Sequence, residues 1–208
     1  MDRNLLKLYL VTDRGFLGGR GLEDVVLDAV RGGVTMVQLR EKNIGTRDFM
    51  ALAIRLKKAL SPFGVPLIIN DRVDVALASD ADGVHIGQSD MPYHMARTLL
   101  GPDKIIGLSV ENFGQIEEAN AIPDLDYIGV SPVFSTPTKT DTAQPFGLDG
   151  LREAVRLSVH PTVAIGGMNA ATAAPVFATG TDGMAVVSAI MGADDPRNAA
   201  EEILESAS

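Results

Sequence analysis

The chain has 208 residues, 46% of them hydrophobic and 22% charged, a net charge of −9 and no cysteine, a composition typical of a soluble globular protein with an aliphatic core. The lack of cysteine excludes disulfides, cysteine nucleophiles and zinc–thiolate sites, and the negative charge disfavours non-specific binding of nucleic acid. No apolar run is long enough to span a membrane and the N-terminus carries no export signal, so we expect a cytoplasmic protein.

Eight short aliphatic and β-branched segments alternate along the chain with segments of helical periodicity. The predicted strands are residues 6–12, 34–40, 66–70, 83–88, 105–110, 127–134, 161–167 and 183–190. The predicted helices are residues 21–33, 46–64, 72–81, 91–101, 112–121, 147–159, 171–180 and 195–207. Strict alternation without a linker or low-complexity tract predicts one domain, residues 1–208, built on a parallel sheet.

Eight strand–helix units at this length fit an α/β fold of the (β/α)₈ type, a compact TIM barrel near the lower size limit. The alternative is an open doubly wound sheet, which usually carries a Gly-x-Gly-x-x-Gly turn after its first strand. Residues 12–21 read TDRGFLGGRG and lack that spacing. The sequence therefore favours the barrel, whose functional residues gather at the carboxyl ends of the strands.

The second predicted strand ends in polar residues that share one face. Side chains alternate between the faces of a strand, so Gln38, Arg40 and Lys42 point one way while Val37 and Leu39 point the other. The apolar pair suits the helix layer, which directs the polar triplet to the mouth of the barrel. An arginine placed there needs a partner, either a bound anion or an acidic neighbour.

Acidic residues follow the next two predicted strands. Asn70 and Asp71 end the third strand, and Asp90 follows the fourth. The two carboxylates could be counter-ions of the neighbouring cations. They could equally hold Mg²⁺, which prefers one or two carboxylates together with waters and substrate phosphate oxygens.

The seventh and eighth predicted strands end in residues suited to a phosphate group. Gly166 and Gly167 allow close backbone approach, and Val187 and Ser188 offer backbone amides. Loops after these two strands commonly bind phosphate in (β/α)₈ enzymes. The alternative is that the glycines only form a tight turn.

Ser109 closes the fifth predicted strand and adds a hydroxyl to the same mouth. No histidine lies near it in the sequence, so a serine nucleophile of the hydrolase type is not expected. His85, His94 and His160 are interpreted as structural or surface residues.

The loop after the sixth predicted strand, residues 131–142, carries two prolines, a lysine and several threonines. Hydroxyls, amides and a cation suit an anionic ligand, although the same residues also form ordinary turns. The loop lies between the two predicted anion regions. Two anionic ligands in one barrel mouth suggest that one phosphorylated molecule is joined to another, with diphosphate as the leaving group.

Seven motifs occur in register on the predicted strands: VQLREK, IIND, GVHIGQSD, GLSV, TPTK, AIGGM and VVSAI. In this order, from about Tyr9 to Ile190, the chain resembles the thiamine phosphate synthase family. The resemblance implies a (β/α)₈ transferase that joins 4-amino-2-methyl-5-(diphosphooxymethyl)pyrimidine to a thiazole ethyl phosphate. Its products would be thiamine phosphate and diphosphate.

The resemblance also implies roles for individual residues. Asp71 and Asp90 would bind Mg²⁺, Ser109 would act at the reacting end, and Lys139 would contact the diphosphate. The side chains implied to hold the pyrimidine diphosphate are Gln38, Arg40, Lys42 and Asn70. The residues implied to hold the thiazole phosphate are Thr136, Thr138, Gly167, Val187 and Ser188. The catalytic residues would be Arg40, Lys42, Ser109 and Lys139.

Two positions depart from the commonest family pattern, with Ser131 where glycine is frequent and Ser135 where proline is frequent. Two rival functions are less favoured by the sequence, because cations and carboxylates suited to a diphosphate and a metal are present together. One is a thiazole tautomerase of the same fold, which needs neither a metal nor a diphosphate site. The other is a non-catalytic protein that binds thiamine phosphates. The small-molecule partners are thus anionic, and the sequence leaves open whether the chain forms a homo-oligomer.

Overall fold

In the computed structural model, which describes residues 1–135 and 144–207, eight parallel strands close into a barrel in chain order. The strands are β1 (Leu8–Val11), β2 (Met36–Leu39), β3 (Leu67–Asn70), β4 (Gly83–Ile86), β5 (Ile105–Val110), β6 (Tyr127–Val130), β7 (Thr162–Ile165) and β8 (Gly183–Val186). The barrel is confirmed, and the open doubly wound alternative is wrong.

Helices surround the strands on the outside of the barrel. They are α1 (Leu22–Arg31), α2 (Thr46–Leu60), α3 (Val73–Ala78), α4 (Tyr93–Leu100), α5 (Phe113–Asn120), α6 (Gly147–Leu157), α7 (Ala170–Phe177), α8 (Ser188–Met191) and α9 (Pro196–Ser206). The eighth predicted strand, residues 183–190, was too long. It ends at Val186, and a short helix begins at Ser188. The prediction was too long because periodicity alone cannot distinguish a short apolar strand from a buried helix.

Two apolar clusters fill the barrel and its outer layer. Leu8, Leu10, Val37 and Leu39 belong to the larger cluster, which lies between the sheet and the helices. The smaller cluster fills the barrel interior and consists of Leu6, Tyr9, Val11, Met36, Ile68, Tyr127, Val163 and Ala185. The alternation predicted for β2 is therefore confirmed, with Val37 and Leu39 facing the helices.

Local caps fix the ends of the helices that follow β7 and β8. At α7, the Asn169 side chain accepts from the Thr172 N–H while the Thr172 side chain accepts from the Asn169 N–H, a reciprocal cap that satisfies two otherwise unpaired donors. At α9, the Asp195 carboxylate accepts from the Asn198 N–H, and Pro196 occupies the first turn.

Among the described residues, no helix is long and apolar enough to cross a membrane.

Candidate active site at the carboxyl ends of the strands

A cavity of about 560 Å³ opens at the carboxyl ends of the strands. The sequence-predicted residues within the described ranges all line it: Gln38, Arg40, Lys42, Asn70, Asp71, Asp90, Ser109, Gly167, Val187 and Ser188. Three more of the predicted site residues, Thr136, Thr138 and Lys139, lie outside the described residues. The topology explains the convergence, because parallel strands in a closed barrel end at one mouth.

The end of β2 is fixed to the end of β1 by a buried hydroxyl. Thr12 accepts a hydrogen bond from the Arg40 N–H at 3.0 Å and is itself fully buried. The Arg40 guanidinium lies 3.6 Å from the Asp13 carboxylate, too far for a strong hydrogen bond. Arg40 thus has an acidic neighbour and retains donors that can face an anion in the cavity.

Lys42 forms the closer ion pair of this region. Its ammonium donates to Oδ2 of Asp71 at 2.6 Å, with about half of the lysine side chain exposed. Asp71 has φ of 62°, a left-handed conformation that Asp tolerates better than most residues. Its N–H donates to the His85 carbonyl at 2.8 Å, which holds the residue in this strained conformation at the end of β3.

Asp90 lies beside Asp71 at the same rim. Its Oδ2 accepts from the Gly87 N–H at 2.7 Å. Burial raises the pKa of the Asp90 carboxyl above its ordinary value, and the neighbouring Asp71 carboxylate raises it further. Two carboxylates in contact repel each other when both are ionised, so a cation between them would lower their energy.

The donor set at this rim fits Mg²⁺ better than a softer metal. Within residues 1–135 and 144–207, no cluster contains three or more His, Cys, Asp or Glu side chains placed to hold a metal. Two carboxylates without nitrogen or sulfur ligands match the preference of Mg²⁺ for few protein oxygens completed by waters and phosphate.

The loop after β7 packs against the segment that follows β6. Gly166 and Gly167 have φ of 101° and 73°, and a β-carbon at Gly167 would lie 2.8 Å from Cβ of Phe134. Backbone hydrogen bonds from Val133 and Phe134 to carbonyls of Ile165 and Gly166 extend the pairing of β6 with β7 beyond the strands. Both glycines are therefore required by conformation and space, and both line the cavity.

Val187, which caps the N-terminus of α8, and Ser188 and Ala189 in its first turn line the cavity. The first turn of a helix leaves N–H groups without intrahelical acceptors, which favours an anion at this end. Arg20 fixes the other end, donating to the carbonyls of Met191 at 2.8 Å and Ala193 at 2.5 Å. The role of Arg20 was not foreseen, since neither contact is close in sequence.

A histidine lies beside Ser109, contrary to what sequence separation indicated. Nε2 of His85 lies 2.8 Å from Ser109 Oγ because β4 and β5 are neighbours in register. Nδ1 of His85 lies 2.9 Å from the Tyr127 hydroxyl, so this phenol helps to orient the ring. The signal that could have found this contact was the inward alternation shared by His85 and Ser109 on adjacent predicted strands.

Comparison with known proteins now identifies the family. A sequence model described as thiamine monophosphate synthase matches residues 8–190. The chain belongs to the thiamine monophosphate synthase family. It is 57% identical over 191 residues to the thiamine-phosphate synthase of Albidiferax ferrireducens, covering 92% of this chain and 87% of that one. Identity to the thiamine-phosphate synthase of Clostridium novyi is 51% over 203 residues, with 98% of each chain covered.

The solved structure of thiamine phosphate pyrophosphorylase from Pyrococcus furiosus superposes with a TM-score of 0.90 at 41% identity. The superposition covers 99% of this chain and 96% of that one. The predicted family and the predicted transferase of thiamine biosynthesis are therefore confirmed. The roles assigned to individual side chains remain predictions, which the geometry of the cavity now makes specific.

Proposed function

We propose that the chain condenses 4-amino-2-methyl-5-(diphosphooxymethyl)pyrimidine with 4-methyl-5-(2-phosphoethyl)thiazole or its carboxylated form. The bond between the pyrimidine methylene carbon and the diphosphate oxygen breaks, and the thiazole nitrogen forms a new bond to that carbon. The carboxylated thiazole would also lose its carboxylate as carbon dioxide. The observation that carries the proposal is a cavity lined after β2 by the cations Arg40 and Lys42 and, after β7 and β8, by Gly166, Gly167 and the start of α8; the two sides are called the cationic region and the amide-rich region. The named relatives support the same reaction.

At the cationic region, the chain's own contribution is to stabilise negative charge on the departing diphosphate. The methylene carbon is benzylic in type, and the aminopyrimidine ring delocalises its positive charge, so a dissociative path is favourable. Arg40 and Lys42 line the cavity, and the Lys42 ammonium lies 2.6 Å from Asp71. Positioned cations of this kind act where charge develops in the transition state. Asn70 adds a neutral amide beside them.

The amide-rich region has a different task, which is to orient the nucleophile. A phosphate held by the backbone at Gly167 and Ser188 would fix one end of the thiazole, leaving its nitrogen directed at the methylene carbon. Holding two reactants in an attack geometry replaces a bimolecular encounter by an effectively unimolecular one.

Asp71 and Asp90 are the residues proposed to hold Mg²⁺. When bound, Mg²⁺ supplies Lewis-acid stabilisation of phosphate oxygens. In its absence the two carboxylates face the substrate's negative charge, with Lys42 compensating only Asp71 directly. Metal binding at this pair would therefore also remove a repulsive contribution to substrate binding.

No proton transfer to the leaving group is required, because diphosphate is already a stable anion. The pair formed by Ser109 and His85 does not imply a hydrolase, since Nδ1 of His85 lies 2.9 Å from the Tyr127 hydroxyl, where a Ser-His-Asp triad places a carboxylate. A thiazole tautomerase would use the amide-rich region alone and would not need Arg40 or Lys42.

The test is to incubate the protein with both proposed substrates, with and without Mg²⁺, and to measure thiamine phosphate. We expect product with both substrates and a large loss of rate when Mg²⁺ is chelated. Isomerisation of a thiazole phosphate with no condensation would favour the tautomerase. A rate independent of metal would remove the role proposed for Asp71 and Asp90.

The cytoplasmic location remains a prediction.

A further inference from the structure

A chain of buried hydrogen bonds crosses the barrel interior and joins two residues of the cavity. Gln38 Nε2 donates to the Tyr9 hydroxyl at 2.8 Å, and the hydroxyls of Tyr9 and Tyr127 are 2.9 Å apart. The chain continues from Tyr127 to Nδ1 of His85 at 2.9 Å and from Nε2 of His85 to Ser109 Oγ at 2.8 Å. Both tyrosines are fully buried, and Gln38 and His85 nearly so. These five residues are called the interior chain below.

Two strand glycines leave the space that the interior chain occupies. A β-carbon at Gly107 on β5 would lie 2.1 Å from Cζ of Tyr127. A β-carbon at Gly129 on β6 would lie 3.2 Å from Cε1 of His85. Glycine inside a strand commonly marks such a close approach. The backbone is therefore built around the rings of the interior chain.

The distances between Tyr9, Tyr127 and His85 are compatible with either direction of donation. With Gln38 donating to Tyr9, the direction that gives each phenolic proton an acceptor within the interior chain is from Tyr9 to Tyr127 and from Tyr127 to Nδ1 of His85. A neutral His85 then carries its proton on Nε2 and donates to Ser109. The Ser109 hydroxyl is left to donate into the cavity, and the Gln38 carbonyl oxygen is left to accept there.

Burial keeps the middle of the interior chain neutral. Loss of water raises the pKa of the Tyr9 phenol and raises that of Tyr127 well above its ordinary value. Each phenol therefore keeps one proton to donate and one oxygen to accept. If donor and acceptor exchange roles at one end of the interior chain, both tyrosine hydroxyls must exchange their roles too, and the change reaches the other end.

We propose that Tyr9, Tyr127 and His85 are positioning residues that couple Gln38 to Ser109, so that the cavity presents one acceptor and one donor to the pyrimidine ring. The inference rests on the proposed pyrimidine substrate. An aminopyrimidine carries amino N–H donors and ring-nitrogen acceptors, which match this pair. Gln38 and Ser109 lie on β2 and β5, which are not neighbouring strands, so the buried hydrogen bonds provide their connection.

The first test is Tyr127→Phe, which removes one hydroxyl from the middle of the interior chain. We expect the KM for the pyrimidine diphosphate to rise roughly tenfold and the KM for the thiazole phosphate to stay unchanged. Tyr93→Phe removes the same group outside the barrel, where the hydroxyl donates to the Asp124 carbonyl, and should change neither KM. Equal changes in both KM values with Tyr127→Phe would contradict the proposal. If that variant does not fold, Tyr9→Phe replaces it.

The second test is a double-mutant cycle between the two ends. In the wild type, the effects of Gln38→Ala and Ser109→Ala on pyrimidine diphosphate binding should be non-additive, and in Tyr127→Phe they should become additive. Additive effects in the wild type, or non-additivity that survives Tyr127→Phe, would overturn the coupling.

The third test needs no substrate and uses ¹⁵N-histidine NMR of the ligand-free protein. Signals of His85 are assigned by comparison with His94→Gln and His160→Gln. We expect His85 as the neutral tautomer protonated on Nε2, altered by Tyr127→Phe and not by Tyr93→Phe. The Nδ1-protonated tautomer would contradict the proposed direction. A wild type that makes no thiamine phosphate refutes the proposed function, whereas an active wild type in which Tyr127→Phe behaves like Tyr93→Phe refutes only this inference.

Discussion

Lys42 lies at the rim of the cavity, where its ammonium is 2.6 Å from the Asp71 carboxylate and about half of its side chain is exposed. An exposed pair of this kind contributes little to folding, so its importance should appear in the reaction. We expect Lys42→Ala to lower kcat by about 10²–10³, the range for loss of one preorganised contact in a transition state. Lys58→Ala on the exposed side of α2 is the control. A loss below threefold in steady-state rate would contradict the role of Lys42.

The Asp90 carboxylate is expected to lower the stability of the folded chain while serving the proposed metal site. Its pKa is raised by burial and by Asp71, and a carboxyl with a higher pKa in the folded chain makes the protein less stable as the pH rises above the unfolded value. Asp90→Asn should therefore raise the Tm of the ligand-free protein at pH 7, with a gain that shrinks as the pH falls toward 4. The same variant should lose the Tm increase that Mg²⁺ gives the wild type.

The matched control for Asp90→Asn is Asp103→Asn, which changes an exposed carboxyl. Scanning calorimetry at several pH values, with and without Mg²⁺, gives all the required Tm values. An Asp90→Asn protein that is less stable than the wild type at pH 7 would show that the hydrogen bond from Gly87 outweighs the carboxylate repulsion.

At the scale of elements, α8 is held at its C-terminal end by Arg20 and meets the cavity at its N-terminal end. We expect Arg20→Gln to raise the KM for the thiazole phosphate about tenfold, since lost hydrogen bonds of about 1 kcal/mol each let the helix shift. The KM for the pyrimidine diphosphate should not change. Arg197→Gln removes an exposed ion pair with Glu201 and serves as the control. A KM change for the pyrimidine alone would contradict this role of α8.

The elements were predictable where periodicity is strong. The position of every strand followed from aliphatic runs, and the inward side of β2 followed from alternation at Gln38 and Arg40. The helix at Ser188 was missed, because four residues carry too little periodic signal. The contact between His85 and Ser109 depends on which strands are neighbours in the barrel. The hydrogen bonds from Arg20 to the end of α8 depend on which loops lie close together. Separation along the sequence does not reveal either arrangement.

At the scale of the molecule, the barrel interior is partly polar, and its space depends on Gly107. Gly107→Ala would place a β-carbon 2.1 Å from Tyr127, and overpacking of this kind should lower the free energy of unfolding by about 3 kcal/mol. Gly45→Ala adds the same methyl where no atom lies within 4 Å and should cost no more than about 1 kcal/mol. Urea denaturation measures both. Equal losses would contradict the tight packing around Tyr127.

The whole molecule carries a net charge of −9, yet its cavity is proposed to bind two anions, which requires cations and amides to be concentrated at one end of the barrel. The most direct measurement is the stoichiometry of the reaction with both substrates and Mg²⁺. The protein should release one diphosphate for each thiamine phosphate formed, and neither product should appear when the thiazole phosphate or the pyrimidine diphosphate is omitted. Diphosphate released without thiamine phosphate, or no product with both substrates present, would contradict the proposed condensation.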